Sequence, residues 1–265
     1  MSRLTILDLQ DKVRKKEKIV TISAYTANMT KLADELVDVI LVGDSLGMVI
    51  YGFESTLPVT MDLMINHAKA VVGSSSHAFV VVDMPFGSYQ GTKEDAFNNA
   101  ALLMKETGAG AVKLEAGKEL KETIKYITDR GIPVMGHIGL LPQHVNKMGG
   151  YKIQGKSENS GNKLVSDAIS LEEAGTFAIT VEGVLEQTVE KIKSQTTIPL
   201  IGIGASNKCE GQVLVADDLL GISETSAKFV KKYANLRQEI KSSISQYATE
   251  VKKGQFPTNS HIYKS

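Results

Sequence analysis

The sequence predicts a (β/α)₈ barrel, and three observations carry that prediction. Short runs rich in Val and Ile recur at 19–25, 37–43, 78–83, 110–115, 132–138, 177–182, 198–204 and 213–216. Their length and composition suit strands buried on both faces. Most are separated by stretches whose apolar residues return at three- and four-residue intervals, at 26–36, 61–73, 93–108, 120–130, 162–174 and 185–196, the period of a crossover helix. Several runs end in polar or charged residues, as in ILVGDS, VVVDMPFGSY, VKLE, VMGHIG and ITVEG. An ionisable group at the end of a buried strand costs desolvation unless a counter-charge, metal or substrate compensates. Five such endings therefore point to one polar pocket at the C-terminal mouth of a closed α/β barrel of the TIM type.

Taken in order, the elements agree with this reading. Leu4–Lys16 is amphipathic and suits a helix that plugs the barrel bottom. Gly108, Gly131 and Gly175 stand where helices should stop, as left-handed C-caps before the next strand. A doubly wound open sheet is the competing fold. It is disfavoured because no G-x-G-x-x-G follows the first strand and the polar endings are spread over too many strands for one crevice. The polar, Gly-rich stretch GGYKIQGKSENSGNK at 149–163 suits a mobile flap over the mouth. IGIGASNKCEGQ at 201–212 has the glycines of a phosphate cradle but lacks the Lys-Ser/Thr ending of a nucleotide loop. Cys209, within it, is expected to face solvent and receives no role. From about Ser223 to Lys253 a charged tail keeps Phe229, Tyr233, Leu236 and Ile240 at helical spacing, for packing on the barrel or on a neighbouring subunit. The whole chain, 1–265, reads as a single barrel domain with a helical segment at each end.

Composition narrows the partners. Lys+Arg and Asp+Glu balance at 30 each, so no basic stripe favours nucleic acid or an anionic membrane. The single cysteine excludes an internal disulfide, and the N-terminus lacks the layout of a secretory signal. No apolar run approaches the roughly 20 residues that span a bilayer. A cytoplasmic protein acting on small molecules is the expectation.

Lys113 and Glu115 are two apart in a strand, so alternation sends both to the same face. With Asp44 and Asp83 at the ends of two other strands, Glu115 completes a set of three hard carboxylates suited to Mg²⁺. Zinc would instead favour His and Cys ligands. Each residue also has a plainer role: an Asp after a strand serves as a turn or helix cap, and Lys113 with Glu115 forms a surface ion pair. Their joint occurrence favours the site. Glu182 ends an apolar strand and is suited to take a proton from carbon near neutral pH, or else to a structural salt bridge. His137, before the turn Gly-Leu-Leu-Pro-Gln, is either a donor to a substrate oxygen or a satisfied core histidine.

At these residues the chain resembles the ketopantoate hydroxymethyltransferase (3-methyl-2-oxobutanoate hydroxymethyltransferase) family. The resemblance runs from about Ile19 to Gly221 through LVGDSLGMVIYG, TLPVTMDLMINH, VVDMPFGSY, GAGAVKLEAG, GIPVMGHIGLLPQ, GGYKIQGK, IPLIGIGAS and EGQVLVADDLLG, in the family's order. It implies a Mg²⁺ enzyme acting on the α-keto acid 3-methyl-2-oxobutanoate, with 5,10-methylenetetrahydrofolate as one-carbon donor, assembled as a homodecamer of two pentameric rings. By motif position it implies Asp44, Asp83 and Glu115 as metal ligands, Asp44, Ser45, Asp83 and Lys113 as keto-acid contacts, and Glu182 as catalytic base. A Mg-stabilised enolate formed at C3 would then attack the folate-borne carbon and give 2-dehydropantoate. The chain departs from the family pattern at Thr26 (commonly Asp), Leu141 (Thr), Leu185 (Pro), Ser206 (Gly) and Glu210 (Asp). Two rival expectations stand beside this one: a metal-free aldolase forming a Schiff base on Lys113, and a barrel that binds ligand without catalysis.

Overall fold

Eight parallel strands close into a barrel in sequence order in the computed structural model, which describes residues 3–264. They are β1 (Ile19–Ser23), β2 (Val39–Val42), β3 (Phe79–Asp83), β4 (Ala111–Glu115), β5 (Val134–Gly139), β6 (Ala178–Glu182), β7 (Leu200–Ile203) and β8 (Gly211–Val215). β8 pairs back onto β1. β2 to β5 are buried along their whole length, which is why they read as continuous apolar runs rather than alternating ones.

The chain divides into two compact units, of which Met1–Ala216 contains the barrel. Its helices are α1 (Ile6–Arg14), α2 (Ala27–Ala33), α3 (Leu46–Val49), α4 (Met61–Val72), α5 (Lys93–Thr107), α6 (Lys121–Thr128), α7 (Val145–Met148), α8 (Glu158–Glu173) and α9 (Glu186–Gln195). Thr26, Thr60, Thr92 and Ser157 begin four of them by accepting a backbone N–H of the first turn, and each such cap contributes about 1 kcal/mol. Gly108, Gly131 and Gly175 adopt φ of 72°, 86° and 83°, the left-handed stops the sequence predicts.

Two apolar layers result from strand alternation. Ile19, Val39, Phe79, Val81, Ala111, Met135, Ala178, Ile201 and Val213 point inward, and Leu9 of α1 packs with them from below. The N-terminal helix is therefore the bottom plug. Val80, Val82, Val112, Leu114, Ile179 and Val181 point outward into a second layer shared with Met64, Leu103, Ile124 and Leu171 of the helices.

Three local readings change. Residues 204–210 join β7 to β8 with no intervening helix, and Cys209 is fully buried rather than solvent-facing. Helix α8 begins at Glu158 under a Ser157 capping box, so the Gly-rich stretch is a loop only at 149–157. That loop is tied down by a bridge from Gln154 to Val184 and by the Gln154 N–H on Gly183 O at 2.7 Å.

The second unit, from Asp217, contains most of a short helix α10 (Ala216–Leu219) and a long helix α11 (Leu236–Lys252). Within it the N–H groups of Tyr233 and Leu236 bond Leu219 O and Leu220 O. No residue of α11 is buried, and Tyr233, Ile240, Ile244 and Tyr247 present apolar surface.

Candidate active site

Strand register assembles the polar cluster. Asp83 lies beside Lys113, Glu115 beside His137, and Gly139 beside Glu182, all at the C-terminal mouth. Asp44 and Ser45 arrive on the turn after β2. Gly43 makes that turn feasible, since a Cβ there would stand 2.9 Å from Ser45 Oγ and 3.1 Å from Ser23 Oγ. Together with Pro142, Thr180 and the apolar side chains of Leu41, Ile203, Val213 and Val215, these residues line one cavity of about 110 Å³. All seven residues singled out by the sequence, Asp44, Ser45, Asp83, Lys113, Glu115, His137 and Glu182, share it.

Lys113 and Glu115 enter the pocket together, and the plainer alternative of a surface ion pair between them does not hold. The Nζ of Lys113 donates to Asp83 Oδ1 across the sheet at 2.6 Å, with both side chains 6% exposed. The Asp44 N–H donates to Asp83 Oδ2 at 3.1 Å. Ser45 Oγ is 2.7 Å from the Tyr25 hydroxyl. Glu182 Oε2 lies 3.2 Å from His137 Nε2, while His137 Nδ1 is 3.9 Å from Glu115 Oε1. Neither ring nitrogen of this buried histidine makes an aligned hydrogen bond, which is unlike a satisfied core histidine.

Gln143, which the sequence reading passed over, is the hub. Its N–H donates to Glu115 Oε2 at 3.0 Å, and its Nε2 donates to Asp44 Oδ2 and to Met84 O, both at 2.9 Å. Its Oε1 accepts from the buried Tyr89 hydroxyl at 2.6 Å and from Gln90 Nε2 at 3.1 Å. The signal was the Pro142-Gln143 pair ending the turn after β5, where proline starts a short 3₁₀ turn.

The electrostatics follow from burial. Asp44 is pushed up to about 7 by burial and by the neighbouring Asp83 charge. Glu115 is held well above the usual carboxylate range by burial and then by Asp44. Burial alone would depress Lys113, but Asp83, Asp44 and Glu115 outweigh it and raise the lysine. His137 is depressed by burial and by Lys113.

Among the described residues, no three His, Cys, Asp or Glu side chains are gathered to share one metal ion in this arrangement. Asp83 is turned to Lys113, and Asp44 and Glu115 are engaged by Gln143. The donor chemistry nonetheless fits a divalent cation: three carboxylates, each 3–4% exposed, face a single lysine in one cavity. Without further positive charge they cannot all ionise, whereas a hard dication would balance the surplus.

The family departures lie elsewhere in the barrel unit. Thr26 caps α2, Leu141 and Leu185 precede the helical turn at Pro142 and α9, and Ser206 is buried. Glu210 binds Lys193 and accepts Leu200 N–H at 3.0 Å.

The chain matches the ketopantoate hydroxymethyltransferase family over residues 3–259. It is 52% identical over 264 residues to the 3-methyl-2-oxobutanoate hydroxymethyltransferase of Paramagnetospirillum magneticum, covering 99% of this chain and 96% of the relative. It is 51% identical to the enzyme of the same name from Sphingopyxis alaskensis, covering 99% and 91%. Among solved structures it resembles a phosphonopyruvate hydrolase complex with oxalate and Mg²⁺ (TM-score 0.63, 13% identity, 98% and 92% covered). A 2,3-dimethylmalate lyase of the PEP mutase/isocitrate lyase superfamily is similar too (TM-score 0.63, 12% identity, 98% and 89% covered). At those identities the likeness concerns the barrel fold alone.

Proposed function

The chain belongs to the ketopantoate hydroxymethyltransferase family, and from that premise we propose that it transfers a hydroxymethyl group from 5,10-methylenetetrahydrofolate to 3-methyl-2-oxobutanoate, giving 2-dehydropantoate. The observation that carries the reading is the single cavity in which three buried acids and Lys113 face an apolar wall of Leu41, Ile203, Val213 and Val215. With a dication offsetting the surplus acids, such a pocket would suit a small anion with a branched apolar end.

Asp44, Asp83 and Glu115 would hold Mg²⁺, which when bound supplies the positive charge that favours ionised oxygens on a keto acid and its enolate. Lys113, kept protonated by the surrounding acids, attracts the substrate carboxylate. Its charge makes it a poor Schiff-base nucleophile. Ser45 Oγ, 2.7 Å from the Tyr25 hydroxyl, orients the keto acid by hydrogen bonding. Glu182, at the end of β6 with a side chain 15% exposed, takes the C3 proton. His137 beside it, held neutral by burial, donates to a substrate oxygen or steadies the glutamate. Leu41 and the β7 and β8 side chains exclude water around the reacting carbon. A homo-oligomer, decameric by family resemblance, belongs to the same proposal, and the exposed apolar residues of α11 are consistent with association.

The test is a metal-dependent assay of 2-dehydropantoate formation from the two substrates. EDTA should abolish turnover and Mg²⁺ should restore it. Intact keto-acid binding in calorimetry, with no product under any metal condition, would instead favour a non-catalytic binding barrel.

A further inference from the structure

We propose that Gln143, locked by Tyr89, is a positioning residue that fixes Asp44 and Glu115 for metal capture. This rests on the proposed function above.

The amide has two donors and two acceptor sites, and all four are used: Nε2 on Asp44 Oδ2 and Met84 O, Oε1 from Tyr89 Oη and Gln90 Nε2. Met84 O can only accept, and Tyr89 Oη and Gln90 Nε2 donate to Oε1 from the other side, so these bonds fix the amide in one orientation. Reversing it would set Oε1 against a carboxylate and a carbonyl. Tyr89, fully buried, fixes the far side of the same amide and also accepts the Glu115 N–H at 3.2 Å. The backbone N–H of Gln143 holds the carboxylate of that glutamate at 3.0 Å. One residue thus takes Oδ2 of Asp44, on the turn after β2, and Oε2 of Glu115, at the end of β4, from opposite sides of β3. The second oxygen of each acid is the one left for a cation. Groups that hydrogen-bond to metal-binding side chains orient them, and removing such a group typically weakens metal binding about 10–100-fold.

The experiment is calorimetric titration of Mg²⁺ into the full-length protein saturated with 3-methyl-2-oxobutanoate, well below the melting temperature. Wild type, Gln143→Met and Tyr89→Phe are compared. Methionine keeps the side-chain length and removes the amide. Phenylalanine keeps the ring and releases the far side of the amide. Gln143→Met should weaken Mg²⁺ about 10–100-fold, and Tyr89→Phe should weaken it less but in the same direction. Thermal melts in EDTA report any purely structural role. A lowered melting temperature with Mg²⁺ affinity within about twofold of wild type would overturn the inference, as would unchanged affinity in both variants. If Gln143→Met does not fold, Tyr89→Phe decides. A wild-type protein that takes up no Mg²⁺ would refute the proposed function itself, a result distinct from an unaffected variant.

Discussion

Replacing Asp44 by Asn should remove a specific pH dependence from the stability of the metal-free protein. In the folded chain Asp44 keeps its proton up to about 7, against 3.8 for the group in water, because burial and the Asp83 charge both oppose ionisation. Between those values the native state holds more protons than the unfolded one, so stability falls as pH rises from about 4 to about 7 and then levels off. A gap of about 3 pH units at 1.36 kcal/mol each amounts to about 4 kcal/mol. For a protein of this length that corresponds to about 8–16 °C in melting temperature. Asparagine cannot ionise and retains a similar outline. In EDTA, then, the melting temperature of wild type minus that of Asp44→Asn should drop by about 6–12 °C between pH 4.5 and pH 8, since roughly a quarter of the loss is already complete at pH 4.5. Mg²⁺ with keto acid should stabilise wild type more at pH 8 than at pH 5, because at pH 8 Asp44 is already ionised whereas at pH 5 the cation has to displace its proton. Parallel pH curves for the two metal-free proteins would refute the reasoning.

Three further outcomes are expected. Glu182→Gln should still bind keto acid but lose exchange of the C3 proton with solvent by about 10²–10⁴-fold, followed by NMR in D₂O; undiminished exchange would remove Glu182 as the base. Borohydride added with keto acid should leave Lys113 unmodified by mass spectrometry, since Asp83, Asp44 and Glu115 keep it protonated, and an adduct at Lys113 would revive the Schiff-base reading. Asp34→Asn should destabilise the barrel by about 1–3 kcal/mol in urea. Burial opposes the Asp34 charge, but donors from the Ser75 hydroxyl and the Ser76, Ala78 and His77 N–H groups overcome this and hold the carboxyl at about 2. Its contribution is complete above about pH 4 and lost as pH falls through 2, so the gap to the variant should close in acid unfolding. A gap unchanged at pH 2 would contradict that account.

What was legible in the chain was whatever depends on neighbours in sequence. The Val and Ile runs located all eight strands, since a strand covered on both faces has little else to be made of. Glycines located helix ends because a left-handed φ excludes most other residues. Contacts fixed by barrel register were not legible. Spacing put Lys113 and Glu115 on one face, with a surface ion pair between them only as the plainer alternative, but the pairing of β3 with β4 sets Asp83 directly alongside Lys113, and no periodicity within β4 encodes that offset. Gln143 reaches Asp44 across 99 residues of sequence. Cys209 is buried because residues 204–210 cross from β7 to β8 without a helix and place it close against Gly202, where a Cβ would meet its Sγ at 3.1 Å. Gly139 shows where the two kinds of information meet. It read as the end of a polar strand tip, but at φ 99° a Cβ there would stand 2.3 Å from Glu182 O. Only glycine lets β5 approach β6 this closely, so the residue that ends the run with His137 also sets where the proposed base can stand.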